Sequence, residues 1–217
     1  MTREELLVEL AARVLALSDD RARLVAVDGM SCVGKTTLAA ELATVLTGAG
    51  RPVARAAYDD FHQPREVRHR EDRLSAEGYL RDSYDAAALR RLVLDPVRAG
   101  ASAIVPGSFD LVTDEPVDPA PVPLERGAVV VVDGEFLLSP DLDGCFDLGV
   151  LLVADPAAVV ERALVRDADL GTPARVRELY LRRYLGAWAL HEERHDPWAR
   201  ADLVIDLTDP EQPRRLG

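Results

Sequence analysis

The stretch Leu24-Val25-Ala26-Val27-Asp28-Gly29-Met30-Ser31-Cys32-Val33-Gly34-Lys35-Thr36-Thr37 decides how the rest of the chain is read. Its short apolar run predicts a buried strand, and the periodic segment from Thr37 to Leu46 predicts the helix that follows. Between them lies Gly29-x-x-x-x-Gly34-Lys35-Thr36, the phosphate-cradling loop pattern in the strand–loop–helix setting that it requires. Glycines let the backbone curl so that successive N–H groups converge, and the helix N-terminus adds partial positive charge. Gly29, Met30, Ser31, Cys32, Val33, Gly34, Lys35, Thr36 and Thr37 are therefore the expected binding residues for a nucleotide triphosphate such as ATP. In that chemistry Lys35 reaches the β- and γ-phosphates and the Thr36 hydroxyl ligates Mg²⁺. Lys35 is also the sole lysine among 26 Lys and Arg residues. In a chain this averse to lysine, the single ammonium falls where a compact point charge suits a phosphate pair.

Composition sets the outer bounds. The 217 residues suit one α/β domain spanning 1–217, with 48% hydrophobic and 29% charged residues. A formal charge of −12 argues against nucleic acid or an anionic membrane as the main partner, because both select a basic face. Two cysteines make no disulfide framework, no apolar run approaches membrane-spanning length, and Glu4, Glu5 and Glu9 stand where a signal peptide is basic. A cytoplasmic protein is expected; its oligomeric state, a homo-oligomer included, stays open.

Outward from the loop, Thr2-x-x-Glu5 is a capping box ahead of an amphipathic helix that should pack on the outside of a sheet. After Gly48-Ala49-Gly50, residues 52–57 predict a strand ending at Tyr58-Asp59-Asp60-Phe61-His62, where a parallel sheet gathers ligands. Residues 63–84 alternate in charge and read as solvated loop or short helices. A helix from Asp85 to Ala99 precedes a proline-rich, hairpin-like excursion over 101–126. Val129-Val130-Val131-Val132-Asp133-Gly134-Glu135 predicts a buried strand ending in carboxylates, of which Asp133 fits the Mg²⁺-orienting acid of a Walker B strand. Further strands at 148–153 and 203–205 alternate with helices at 156–166 and 175–190. The expected fold is α/β, a mostly parallel sheet covered by helices on both faces.

Taken in order from Leu24 to Ile205, these pieces resemble the uridine kinase, phosphoribulokinase and pantothenate kinase superfamily of P-loop kinases. The pieces are the loop, Asp59-Asp60-Phe61, Tyr84-Asp85, the proline-rich hairpin, Val132-Asp133-Gly134, Arg166-Asp167 and Ala201-Asp202-Leu203-Val204-Ile205. The resemblance implies a P-loop NTPase fold and an ATP- and Mg²⁺-dependent kinase acting on a small-molecule hydroxyl substrate, a nucleoside of the uridine or cytidine type or a similar sugar-like alcohol. It implies that Asp59 is the general base, although residues alone do not separate it from Asp60. It places Arg162 and Arg166 in a lid over 162–177 that grips the transferring phosphoryl group, alongside Lys35. For the acceptor pocket it points to Phe61, His62, Tyr79, Asp82 and Tyr84, with Phe109 stacking on a base. The chain departs where uridine kinases carry Tyr-Asp-Phe-x-x-His: Phe109-Asp110-Leu111-Val112-Thr113-Asp114 stands there, and Asp114 lacks a neutral histidine's donor–acceptor pair. A same-fold kinase for pantothenate, glycerate or a free sugar is the alternative, and a non-catalytic nucleotide-binding regulator is another.

His191-Glu192-Glu193-Arg194-His195 matches the H-E-x-x-H zinc pattern. Charged neighbours and Pro197 close behind make a solvated helix end the better reading.

Overall fold

In the computed structural model, which describes residues 1–216, the chain opens with α1 (Arg3–Leu15). Thr2 and Glu5 form the capping box, satisfying two of the N–H groups a helix start leaves free. Its apolar stripe, Leu6, Leu10, Ala11 and Val14, is buried, and α1 packs against the loop helix instead of directly on the sheet. There follow β1 (Arg23–Gly29), α2 (Lys35–Gly48) and β2 (Val53–Ala57), then short helices α3 (Arg65–Arg68) and α4 (Ala76–Asp82).

The next helix is composite. It runs as α5 (Ala86–Leu89), a π turn (Arg90–Leu94) and α6 (Asp95–Arg98), with the Asp85 carboxylate capping Ala88 N. Pro96 has no N–H, so Leu92 O loses its i+4 donor; Val105 N takes that carbonyl at 3.1 Å instead. The helix break thereby anchors the excursion at 101–126. Its four short strands nest as one hairpin inside another: β3 (Ala103–Ile104) pairs with β6 (Val122–Pro123), and β4 (Phe109–Asp110) with β5 (Glu115–Pro116).

β7 (Val129–Gly134), β8 (Leu148–Val153), α7 (Pro156–Arg166), α8 (Pro173–Leu179), α9 (Leu185–His195), α10 (Pro197–Arg200), β9 (Leu203–Asp206) and β10 (Arg214–Leu216) complete the chain. A second π turn, Tyr180–Tyr184, joins α8 to α9. The sheet order is β10-β9-β8-β1-β7-β2, parallel throughout except for β10, an antiparallel edge strand absent from the sequence expectation. Strand β1 lies between β7 and β8, so its C-terminal loop opens at the centre of the sheet. Four consecutive β7 valines are fully buried, each side chain contributing about 1.5–3 kcal/mol of transfer free energy. Among the described residues, no helix is long and apolar enough to cross a membrane.

Candidate active site

The phosphate loop leaves β1 through Gly29 (φ 153°), turns at Cys32 (φ 59°) and enters α2 through Gly34 (φ 110°). Positive-φ steps of this kind are what a backbone anion cradle uses. Lys35 Nζ donates to Met30 O at 2.9 Å and stands 3.7 Å from Glu135 Oε1. Beneath the loop, fully buried Asp28 accepts from Gly29 N at 2.7 Å and Leu138 N at 2.8 Å. Burial pushes its carboxyl up to about 6 against those two hydrogen bonds.

Carboxylates from the end of β7 meet the start of α2. Thr36 Oγ1 donates to Asp133 Oδ2 at 2.7 Å, and Arg55 Nη2 on β2 donates to Asp133 Oδ1 at 2.9 Å. Glu135 is buried, and its Oε2 has no hydrogen-bond partner. Burial raises its pKa while Lys35 pulls the other way. A hydroxyl, a carboxylate and an orphaned carboxylate oxygen are hard donors of the kind Mg²⁺ takes, so these residues fit the ion.

Across the cleft, β2 passes into a 3₁₀ turn, Tyr58–Phe61. The turn rests on the tip of β7 because residue 134 is glycine: a Cβ there would overlap the Tyr58 side chain. Asp59 lines the cleft, and Tyr84 OH donates to its Oδ1 at 3.1 Å. His62 Nδ1 lies 2.7 Å from Asp59 O, and burial lowers the imidazole's pKa while Asp59 opposes the shift. Tyr84 stacks on Tyr58 at 4.4 Å and lies 4.4 Å from the His62 ring, so packing fixes the phenol. The neighbouring Asp60 does not line the cleft. Its carbonyl accepts from Ser108 N at 2.9 Å, and its side chain abuts Gly107 of the excursion. The cleft holds about 1090 Å³ and takes in Lys35, Thr36, Asp59, Glu135, Arg162 and Arg166 together.

No family model matches the chain, and no curated protein matches it in sequence. Solved structures do. A possible uridine kinase from Bacillus stearothermophilus superposes with a TM-score of 0.74 at 22% identity, covering 93% of this chain and 97% of that one. D-glycerate 3-kinase from Cryptococcus neoformans var. grubii gives 0.68 at 13%, covering 97% and 99%. Phosphoribulokinase from Rhodobacter spheroides gives 0.61 at 12%, covering 87% and 71%. The fold is that of the P-loop kinases. The resemblance drawn from the sequence therefore holds at the level of the fold.

Within this P-loop kinase fold, the predicted residues divide. Arg162 Nη2 donates to Leu207 O at 2.6 Å and Thr208 O at 2.8 Å, tying α7 to the segment after β9. Arg166 bonds Asp167 and Tyr180 OH, and Tyr180 OH lies 3.2 Å from Cys32 Sγ, linking the end of α7 to the phosphate loop. His62, Tyr79 and Tyr84 line the cleft. Four expected pocket residues do not. Phe61 is fully buried in the core, where its ring anchors the turn that carries Asp59. Asp82 is buried and paired with Arg81 at 2.6 Å. Phe109 is buried off the cleft, because β4 is held against the Asp60 turn by Ser108. Asp114 (φ 61°) accepts from Arg65 N at 3.0 Å and Arg68 Nη2 at 2.7 Å, fastening the excursion to α3.

Sequence reasoning passed over Arg183, which the π turn carries to the cleft wall beside Tyr184. The helix end expected to be solvated is also corrected. His191 is fully buried against Phe136 and Trp188, and its Nδ1 lies 3.0 Å from His195 Nδ1. Among the described residues no third His, Cys, Asp or Glu completes a metal-binding group there.

Proposed function

We propose that this protein is an ATP-dependent phosphotransferase that moves the γ-phosphoryl group to the hydroxyl of a small alcohol. One observation carries the reading: Asp59 lines the same cleft as Lys35 and Thr36, held by a phenol that donates to it. The loop amides and Lys35 hold the triphosphate, with Thr36 and Asp133 the ligands for Mg²⁺. Bound Mg²⁺ supplies charge neutralisation on the phosphate oxygens. Asp59 accepts the acceptor's hydroxyl proton as that oxygen bonds to the γ-phosphorus; the bond to the β–γ bridging oxygen breaks and its electron pair leaves with ADP. Tyr84 fixes which Asp59 oxygen carries the lone pair toward the alcohol. Arg166, on the lid side, faces the charge that develops on the transferring group.

A nucleoside acceptor was the first expectation. It loses its main support because Phe109, the residue expected to stack on a base, lies off the cleft, and Asp114, which stands where uridine kinases carry the histidine, is turned to Arg65 and Arg68. A coupled ADP-release screen across nucleosides, sugars and hydroxy acids tests the reading, with Asp59→Asn as the control. Loss of a positioned base costs about 10²–10⁴ in rate. Asn retains an acceptor for Tyr84, so ATP affinity should stay within about twofold. Undiminished turnover in the variant would remove Asp59 from the chemistry.

A further inference from the structure

The acceptor half of the cleft holds more positive charge than a neutral alcohol needs. Arg65 and Arg68 on α3, Arg73 beyond it and Arg183 on the π turn all line it. Arg183 is only 4% exposed. Its guanidinium donates to Arg73 O at 2.8 Å and Arg68 O at 3.4 Å, and its Cζ lies 4.8 Å from the centre of the Tyr79 ring. Among the described residues no carboxylate pairs with it. Burial lowers its pKa, Tyr184 and Tyr79 oppose that shift, and Arg68 and Arg73 add to it; the two carbonyls and the ring partner the cation, but no anion among the described residues does. Arg68 has Asp114 behind it; Arg65 and Arg73 form no ion pair among the described residues. None of the cleft's three acids pairs with these arginines: Glu135 faces Lys35, Glu178 pairs with Arg182 and Asp59 accepts from Tyr84.

A buried cation without a counter-ion is costly, and a site keeps one where a ligand supplies the anion. The loop on β1 and α2 already supplies a cradle for the triphosphate, and these arginines come from other elements, residues 65–73 and 183. They adjoin the acceptor side through a chain of contacts. Asp59 Oδ1 meets Tyr84 OH at 3.1 Å, Tyr84 OH meets Tyr79 OH at 3.3 Å, and Arg183 covers the Tyr79 ring. We propose that the acceptor alcohol carries an anionic group, a carboxylate or a phosphate monoester, which Arg183, Arg65 and Arg73 hold while its hydroxyl lies against Asp59. The inference rests on the kinase reading and narrows its substrate class.

The test has two arms. In the first, ADP release is measured for matched pairs: glycerate against glycerol, and ribose 5-phosphate against ribose. The anionic member should be preferred in kcat/KM by about tenfold or more, the worth of one hydrogen bond to a charged group. Arg73→Gln and Arg65→Gln, exposed changes that spare folding, should raise its KM by a similar factor and leave ATP affinity unchanged; Arg183→Met should raise it further. Equal or better use of the neutral members, with KM unmoved in the variants, overturns the inference and leaves the kinase reading standing. In the second arm, acetate and inorganic phosphate are titrated into protein saturated with a non-hydrolysable ATP analogue and Mg²⁺, so that the phosphate loop is filled. Binding that is lost in Arg73→Gln supports the anion site even if no alcohol turns over, in which case the kinase reading fails instead. No binding of either anion, together with no preference in the first arm, overturns it.

Discussion

Gly29→Ala perturbs the point where the central strand becomes the phosphate loop. A Cβ at this position would fall inside contact distance of Leu152 O on β8, 2.9 Å from Val33 Cγ1 and 3.1 Å from Leu152 Cβ. The first obstacle is backbone and cannot rotate away, because Gly29 and Leu152 are partners in the β1–β8 ladder. At φ 153° a side chain is strained as well. Strain of this kind costs about 1–3 kcal/mol and overpacking another 1–3, so a loss near 4 kcal/mol is expected. For a chain of this size each kcal/mol shifts Tm by about 2–4 °C, giving a fall of roughly 12 °C. Urea unfolding of parent and variant reads the stability, and ATP titration below Tm reads the displaced loop as weakened affinity. Gly48→Ala is the control: it lies at the end of α2 with nothing near its missing Cβ, so alanine should gain about 0.5–1 kcal/mol. A Gly29→Ala protein within about 1 kcal/mol of the parent, with ATP affinity intact, would refute both the strain argument and the placement of the cradle.

Thr36→Val should raise the Mg²⁺ concentration needed for half-maximal turnover by about tenfold or more, for want of one oxygen ligand, while the fold persists; an unchanged metal requirement removes Thr36 as a ligand. Asp147 accepts from Leu24 N at 2.9 Å and from Arg21 and Arg23, so Asp147→Ala should cost about 2–3 kcal/mol in urea unfolding by stranding those donors. Burial holds His191 down to about 3, with His195 and Arg200 adding to the shift. A base with a depressed folded pKa contributes fully above its unfolded value of about 6.5, and that contribution is lost as pH falls toward 3. Asp28, raised to about 6, acts oppositely between pH 6 and 4 and masks the loss in the parent. His191 Nε2 lies 3.9 Å from Asp28 Oδ2, so the difference in stability between His191→Leu and parent reads the histidine together with its coupling to Asp28; it should move in the variant's favour as pH falls below about 6. A pH-independent difference would mean that the imidazole is not neutral and buried.

What the sequence made legible was local. The loop spacing, the Asp85 cap and the Thr2 capping box are each written within a few residues, and each formed as expected. Strand β10 was not legible, because Arg214-Arg215-Leu216 has no apolar run and gains its identity only by pairing with β9. Arg183 was hidden for a related reason: a π turn shifts its helical phase, and no short-range pattern announces that turn. His191 could have been found. Ala187, Trp188 and His191 follow helical spacing along one buried stripe, a signal that the charged neighbours obscured. Phe109 and Asp114 were misplaced because their position depends on how the excursion folds back on Asp60 and α3, contacts distant in sequence.

The order of strands in the sheet divides the labour of the cleft. Apart from Arg166 on α7, everything proposed to grip the donor emerges from the adjacent strands β1 and β7 and from α2, whereas the residues around the acceptor come from the turn after β2, from 62–84 and from the 180–184 turn. Acceptor selectivity can thus be rewritten by exchanging peripheral segments while the nucleotide grip stays whole. A chimera that imports residues 62–84 and 173–195 from another protein of this architecture should change what it phosphorylates and keep its hold on ATP.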